Sequence, residues 1–174
     1  IDWEDIATAR VAGQALLYVG DFGDNEAVRS NLRIYRVREP QLDGNSGAGG
    51  TIPAGDIETI QVRYPASPAG EGGGAARDAE SMFVEPHSGD IYILTKRESV
   101  GRLFRLTHQD TFTGVQTLEY LGDPPAFTPD FFHGISSSST AADISRDGLE
   151  VLVRNYQNIF YFSRPDLETS IAEM

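Results

Sequence analysis

Apolar residues along this chain recur mostly at every second position and in short runs, which is the pattern of β-strands. No window carries the apolar stripe of a helix. Four predicted strands lie between residues 3 and 64, four between 79 and 121, and three between 141 and 162. Turn residues at 85–90 and 146–148 separate neighbouring strands. The pattern predicts an all-β fold of antiparallel strands.

The three sets of strands resemble copies of one unit. The segment DWEDI at 2–6 aligns with DAESM at 78–82, and ADI at 142–144 aligns with EDI at 4–6. Repeated four-stranded units are typical of a β-propeller, in which each blade buries the faces of its neighbours. We therefore predict a partial ring of antiparallel β-propeller blades, about two complete blades and most of a third, with a β-sandwich as the alternative.

The predicted blades cover about residues 1–65, 78–122 and 140–174 of a single partial domain. Two Gly-rich segments, at 43–55 and 66–76, interrupt the strand pattern and are expected to be surface excursions. Propellers usually contain about four to eight blades, so three would leave apolar faces uncovered at both ends.

The charge balance limits the classes of partner. There are 26 acidic and 14 basic residues, which gives a formal net charge of -12. This balance argues against binding to nucleic acid and favours cations. The chain has no cysteine, so disulfides and thiolate chemistry are excluded. Since no apolar run approaches the ~20 residues that span a bilayer, we expect no membrane span.

Acidic residues open each predicted unit. If the first strand of every blade lines a central channel, Glu4, Asp5, Glu80 and Asp143 converge near its axis. Convergent carboxylates suit a hard cation such as Ca²⁺. The alternative, which we favour, is that these acids pair with basic residues and lock blade to blade. The candidate basic partners are Arg29, Lys96, Arg97 and Arg154.

A second candidate cation site lies in the loop at 20–25, where Asp21, Asp24 and Asn25 stand within five residues. The loop lacks the later bidentate Glu of an EF-hand, which excludes that family. The alternative is a turn capped by Asp and Asn side chains, with Asp21 held by Arg29.

Nucleophilic catalysis has little support in the sequence. His133 lies near Ser136, but no Gly-x-Ser-x-Gly elbow is present and no orienting acid is implied by spacing. We predict no catalytic residue. His87 and His108 are expected at solvated turns or strand ends, and three scattered histidines do not make a zinc site.

Six motifs are spread along the chain: DWEDIA at 2–7, LYVGDFGDN at 17–25, IYRVREP at 34–40, DAESM at 78–82, PHSGD at 86–90 and ADISRDG at 142–148. Together they resemble the signature of a family of uncharacterised, generally secreted bacterial β-propeller proteins. The resemblance implies an extracellular or periplasmic bacterial location and further blades on both sides of this segment. It supplies no activity.

The primary hypothesis is a non-enzymatic β-propeller that acts as a binding or structural assembly module, with Ca²⁺ as a candidate stabilising ion. The expected partners are other copies of the chain or further propeller blades, and carbohydrate is a candidate ligand at aromatic rim residues. The alternative is a metal-dependent hydrolase of phosphoesters or lactones, with Glu4, Glu80 and Asp143 around Ca²⁺.

Overall fold

The computed structural model describes residues 1–40, 50–66, 76–97, 101–122 and 138–174, which form β-strands and short 3₁₀ turns without an α-helix. The strands are β1 (Trp3–Val11), β2 (Gln14–Asp21), β3 (Leu32–Arg38), β4 (Ile57–Arg63), β5 (Ala79–Val84), β6 (Ile91–Thr95), β7 (Leu103–Leu106), β8 (Val115–Thr117), β9 (Glu119–Gly122), β10 (Ala141–Ile144), β11 (Glu150–Arg154) and β12 (Ile159–Ser163). The 3₁₀ turns are Ala54–Asp56 and Ile171–Glu173. The all-β prediction is confirmed. Within the described ranges, no helix has the length and apolarity needed to cross a bilayer.

The strands form three sheets whose antiparallel neighbours follow the order of the chain. Sheet 1 contains β1-β2-β3-β4 and, parallel to β4, strand β8. Sheet 2 contains β5-β6-β7-β9, and sheet 3 contains β10-β11-β12. Sheet 2 lies in the middle, because it shares one apolar core with sheet 1 and another with sheet 3.

Sheet 2 is buried on both faces, and its sequence reflects this. Successive side chains of a strand point to opposite faces. In β5, Met82 and Val84 enter the core shared with sheet 1, whereas Phe83 enters the core shared with sheet 3. All residues of β6 are buried as well. Central strands therefore appear as continuous apolar runs rather than as an alternating pattern.

One row of side chains recurs across the first three strands of each sheet, and we call it the leading row. The leading rows are Ile6-Val19-Tyr35 in sheet 1, Met82-Ile93-Phe104 in sheet 2 and Ile144-Val151-Phe162 in sheet 3. In sheets 2 and 3 this row packs against the preceding sheet. In sheet 1 it is open: Ile6 is 58% exposed, whereas its counterpart Met82 is 0% exposed.

The trailing row, as we call it, lies on the opposite face of each sheet. Across the first three strands, the trailing rows are Ser81-Leu94-Leu103 in sheet 2 and Asp143-Leu152-Tyr161 in sheet 3. In sheet 1 the trailing row begins on the second strand, as Gly20-Ile34-Ile60 on β2, β3 and β4. Leu94 is 2% exposed in the core between sheets 2 and 3. Its counterpart Leu152 is 45% exposed on the outer face of sheet 3. Sheets 1 and 3 thus each present exposed apolar side chains on one open face.

The last of the four strands predicted between residues 79 and 121, at 116–121, is divided between two sheets. Strand β8 pairs with β4 of sheet 1, and β9 pairs with β7 of sheet 2. Leu118 lies between them, buried, and its N–H donates to the carbonyl of Arg63 at 2.9 Å. Burial of this one leucine between the sheets explains the division. In sheet 3, the last ten residues contain a 3₁₀ turn and no fourth strand.

A buried ion pair joins sheets 2 and 3 away from the first strands. The Arg164 guanidinium donates to Glu85 Oε1 at 3.0 Å, and both side chains are buried. Arg164 also donates to the carbonyl of Gly148 at 2.8 Å. Gly148 has φ +72°, and a Cβ there would lie 2.5 Å from Glu85 Oε1. The turn at 146–148 therefore requires glycine both for its backbone conformation and for this close approach.

Leu94 and Leu152 occupy equivalent positions in the trailing rows of sheets 2 and 3, and their different burial can be tested by substitution. We expect Leu94→Ala to lower the free energy of unfolding by about 2 to 5 kcal/mol, because it opens a cavity in a packed core. The matched variant Leu152→Ala should cost less than about 1 kcal/mol, because this side chain is half exposed. Urea unfolding at low protein concentration measures both. Equal costs for the two variants would contradict the assignment of Leu152 to an open face.

Candidate functional site

The Asp5 carboxylate joins the first strands of all three sheets. Strand β5 packs against both β1 and β10. Asp5 Oδ2 accepts hydrogen bonds from the backbone N–H of Met82 in β5, at 2.8 Å, and of Ala142 in β10, at 3.1 Å. Asp5 Oδ1 accepts from the N–H of Ile6, at 2.9 Å. One side chain therefore satisfies backbone donors of three strands in three different sheets.

A β-bulge directs Asp5 toward the other sheets. The register between β1 and β2 shifts between Trp3 and Ile6, so Glu4 and Asp5 fall in the irregular part of the strand. A bulge bends its strand and changes the direction of the side chains that it contains. Sheet 2 has the corresponding shift at Glu80. The acidic openings predicted from the sequence therefore coincide with two bulges.

Burial raises the pKa of Asp5 to about 6, against its ordinary value of 3.8. The three backbone N–H donors oppose this shift, and the negative charge of Asp143 adds to it. A partly desolvated carboxylate is stable here because each of its oxygens has an N–H donor.

The positions equivalent to Asp5 in the other sheets are occupied differently. In sheet 2 the residue is Ser81, which is completely buried and whose hydroxyl has no hydrogen-bond partner among the described residues. In sheet 3 it is Asp143, which is exposed and whose Oδ1 accepts from the N–H of Ile144 at 2.9 Å. Asp5 and Asp143 are close enough for their charges to interact.

A second acidic group surrounds Glu4. Burial raises the pKa of Glu4 to about 7, and the negative charges of Glu80, Asp2 and Asp78 raise it further, while Lys96 opposes them. The sequence reasoning included Glu4 and Glu80 but missed Asp2 and Asp78 as members of the group. The sequence contains a signal for them, because Asp2 and Asp78 are the first residues of the aligned segments DWEDI and DAESM.

Lys96 is the principal basic residue of this group. Its ammonium forms an ion pair with Glu80, donates to the Tyr156 hydroxyl at 2.8 Å and lies 4.9 Å from the centre of that ring. Burial lowers the pKa of Lys96, but the bonds to Glu80 and Tyr156 outweigh burial and raise it. Arg97 pairs with Asp78 at 2.5 Å. For Glu80, the contacts therefore agree with the interpretation that the acidic residues pair with basic side chains.

The loop at 20–25 uses its polar side chains to hold its own turn. Asp21 accepts from the N–H of Asp2 at 2.8 Å and pairs with Arg29 at 2.7 Å. Although burial raises the pKa of Asp21, these two donors lower it overall. Asp24 accepts from the N–H of Val28 and of Arg29, at 2.9 and 2.7 Å.

The same loop is tied to sheet 2. The N–H of Asp24 donates to Asp78 Oδ1 at 2.9 Å, and Asn25 Oδ1 accepts a hydrogen bond from the Arg97 guanidinium. The predicted turn with Asp21 held by Arg29 therefore matches the contacts observed. The turn also anchors one sheet to the next.

The residues predicted to bind metal lie in three places. Asp5 and Asp143 are near the meeting point of the first strands, Glu4 and Glu80 surround Lys96, and Asp21, Asp24 and Asn25 belong to the loop at 20–25. In the part of the chain that the structure describes, no group of three or more histidine or acidic residues could hold a metal ion. The carboxylate oxygens of Asp5, Asp21 and Asp24 already accept from protein donors. The Ca²⁺ assignment stays a prediction.

The histidines provide no catalytic arrangement among the described residues. The ring of His87 lies 3.0 Å from the carbonyl of Asp147, in the contact between two turns. His108 lies 3.7 Å from the exposed carboxylate of Asp110. His133 and Ser136, which the sequence analysis considered, lie outside the described residues.

Comparison with known proteins provides no assignment. No family model matches the chain, and no curated protein or solved structure is significantly similar to it. The family resemblance stated from the sequence motifs therefore stays a prediction.

Removal of the Asp5 carboxylate tests its role in joining the sheets. We expect Asp5→Ala to lower the free energy of unfolding by about 1 to 3 kcal/mol, because two buried N–H groups lose their acceptor. Asp143→Ala is the matched control, since it changes the equivalent but exposed position, and it should cost less than about 0.5 kcal/mol. Urea unfolding followed by circular dichroism gives both values. A loss that is equal for the two variants would contradict the proposed role of Asp5.

The raised pKa values of Glu4 and Asp5 predict a pH dependence of stability. Their folded values, about 7 and about 6, lie above the ordinary 4.5 and 3.8, so at intermediate pH the folded chain binds more protons than the unfolded chain. The free energy of unfolding should therefore fall as the pH rises from about 5 to about 7.5. Glu4→Gln should flatten this slope in urea titrations at several pH values. A stability that increases across this range would contradict the prediction.

Proposed function

We propose that this chain is a non-enzymatic assembly module built from consecutive β-propeller blades, which self-associates through the open faces of sheets 1 and 3. The observation that carries the proposal is the contrast between equivalent residues. Ile6 and Leu152 are exposed at the two ends, whereas Met82 and Leu94 are buried in the middle. The same surface that is core inside the protein is uncovered at its ends.

The arrangement of strands supports the propeller interpretation. Each blade of a propeller is a four-stranded antiparallel sheet, and the blades are arranged around a central channel. Here the first strands β1, β5 and β10 lie together, and the next strands of each sheet follow outward in chain order. The Asp5 hydrogen bonds lie at the position where the blades would meet near the axis.

The open faces have the character of interaction surfaces. On sheet 3, Leu152 and Tyr161 are neighbours in the strand register, and Ile159 lies on the same face; all three are exposed. Sheet 1 carries an apolar groove of about 430 Å³ whose lining includes Trp3 and Tyr35. Contiguous exposed apolar surface usually marks a site of protein association. Burial of one such side chain contributes about 1.5 to 3 kcal/mol.

The hydrolase hypothesis draws less support from these contacts. It requires Glu80 as a ligand of a metal ion, but Glu80 is held in an ion pair with Lys96. Glu4, its neighbour, has a pKa of about 7 because of burial and nearby carboxylates. We therefore propose a role in association and not in hydrolysis. An extracellular or periplasmic location and carbohydrate binding stay predictions from the sequence.

Light scattering across a concentration series tests the proposal. We expect the mass-average molar mass of the chain to rise with protein concentration. The double variant Ile6→Lys with Leu152→Lys should stay monomeric, because a charge is placed on each open face. Val28→Lys changes an exposed apolar residue in the β2–β3 loop and should associate like the parent chain. A monomer mass for the parent chain at every concentration would overturn the proposal.

A further inference from the structure

Both internal interfaces of the protein join unlike rows. Between sheets 1 and 2, the leading row of sheet 2 packs in the core that contains the trailing row of sheet 1. Between sheets 2 and 3, the leading row of sheet 3 packs in the core that contains the trailing row of sheet 2. Among the described sheets, no leading row packs on a leading row. The three sheets are therefore stacked in one direction, with the trailing row of each sheet facing the leading row of the next.

Each end of the stack presents one unfilled row, and the two are of opposite kind. Sheet 1 presents a leading row, in which Ile6 is exposed and Tyr35 is half-buried. Sheet 3 presents a trailing row, in which Leu152 and Tyr161 are exposed. In both internal interfaces, a trailing row packs against a leading row. We therefore expect a leading row to fit the open trailing row of sheet 3. Among the three sheets of the described residues, the leading row that is open is that of sheet 1.

The charges of the two open faces are complementary as well. Asp143 and Glu150 share the face of Leu152, since strand residues two apart or directly paired point the same way. By the same alternation, Arg10, Arg33 and Arg63 share the face of the leading row on sheet 1, together with the buried Asp21, which is paired with Arg29. Opposite charges on facing sheets favour one orientation of docking.

The outer face of sheet 3, which carries Asp143 and Glu150, also carries one basic residue. Arg154 lies on the same side of β11 as Glu150. Its Nε donates to the Thr140 hydroxyl at 3.2 Å, so it is bonded within its own sheet. The acidic residues still outnumber this arginine on the outer face of sheet 3.

We infer that a second copy of this chain docks head to tail, with the sheet 3 face of one copy covering the sheet 1 face of the next. This inference rests on the proposed self-association and specifies its geometry. The contact continues the stack of the internal interfaces, with Leu152 and Tyr161 of one copy against the groove beside Trp3 and Tyr35 of the other. Such a heterologous contact leaves one face free at each end, so assembly continues until a ring closes or a filament grows.

The net charge of -12 sets the conditions for the test. Copies of an acidic chain repel one another, and this repulsion is screened at moderate ionic strength, where the Debye length falls below about 8 Å. The experiment is therefore best done at about 0.15 M salt or above, where the repulsion between the net charges is screened.

Mixing two single-face variants tests the head-to-tail geometry. Ile6→Lys blocks the sheet 1 face and keeps the sheet 3 face, whereas Leu152→Lys does the reverse. Each variant alone should be monomeric by light scattering, because each lacks one of the two faces that the contact requires. An equimolar mixture should form a complex of twice the monomer mass and no larger species, because only one productive contact is left.

The outcomes separate this inference from the proposed function. If the parent chain associates but the mixture stays monomeric, or if either variant dimerises alone, head-to-tail docking is wrong while self-association stands. If the parent chain is monomeric at all concentrations, both fail. Circular dichroism and the thermal midpoint establish that each variant is folded. A second pair, Trp3→Lys and Tyr161→Lys, changes exposed positions and should give the same result if the first pair does not fold.

Discussion

Sheet 2 is apolar on both faces, so each of its faces has to be covered by another surface. Sheet 2 meets this requirement within the chain, because sheets 1 and 3 cover its two sides. Sheets 1 and 3 are each covered by another sheet on one side only. The stacking of the sheets, the continuous apolar runs of β5 and β6 and the exposed ends all follow from this constraint.

Polar contacts determine how the stacked sheets are oriented. Apolar packing alone tolerates sliding and rotation, whereas hydrogen bonds are directional. Asp5 fixes the three first strands relative to one another, and the Glu85–Arg164 pair fixes sheets 2 and 3 at a second place. The cost of this arrangement is a group of partly buried carboxylates that includes Glu4, whose pKa burial raises to about 7. Orientation is gained at some expense of stability near neutral pH.

Sequence patterns predicted much of this structure because strand periodicity and turn residues are local signals. The strands around Tyr18, Ile34 and Ile93 lie where the alternation and the apolar runs indicated. The division of 116–121 between two sheets was not predictable, since it depends on where Leu118 is buried in three dimensions.

The acidic openings were identified from the sequence, but their partners were not. Asp5 bonds to backbone N–H groups of residues 77 and 137 positions away, and spacing gives no signal for such contacts. Glu80 and Asp21 do pair with two of the predicted basic residues, Lys96 and Arg29. Side-chain charge is visible in a sequence, whereas a backbone donor is the same at nearly every residue.

The proposed pairing of unlike faces between copies can be tested with a cysteine cross-link, because the chain has no cysteine of its own. Copies that carry Ile6→Cys are mixed with copies that carry Leu152→Cys and treated with a short thiol-specific cross-linker. The account predicts that the mixed cross-link between the two variants forms much faster than either cross-link between identical copies. Predominant cross-linking of Ile6→Cys to itself or of Leu152→Cys to itself, or no cross-link above the level of random collision, would contradict it.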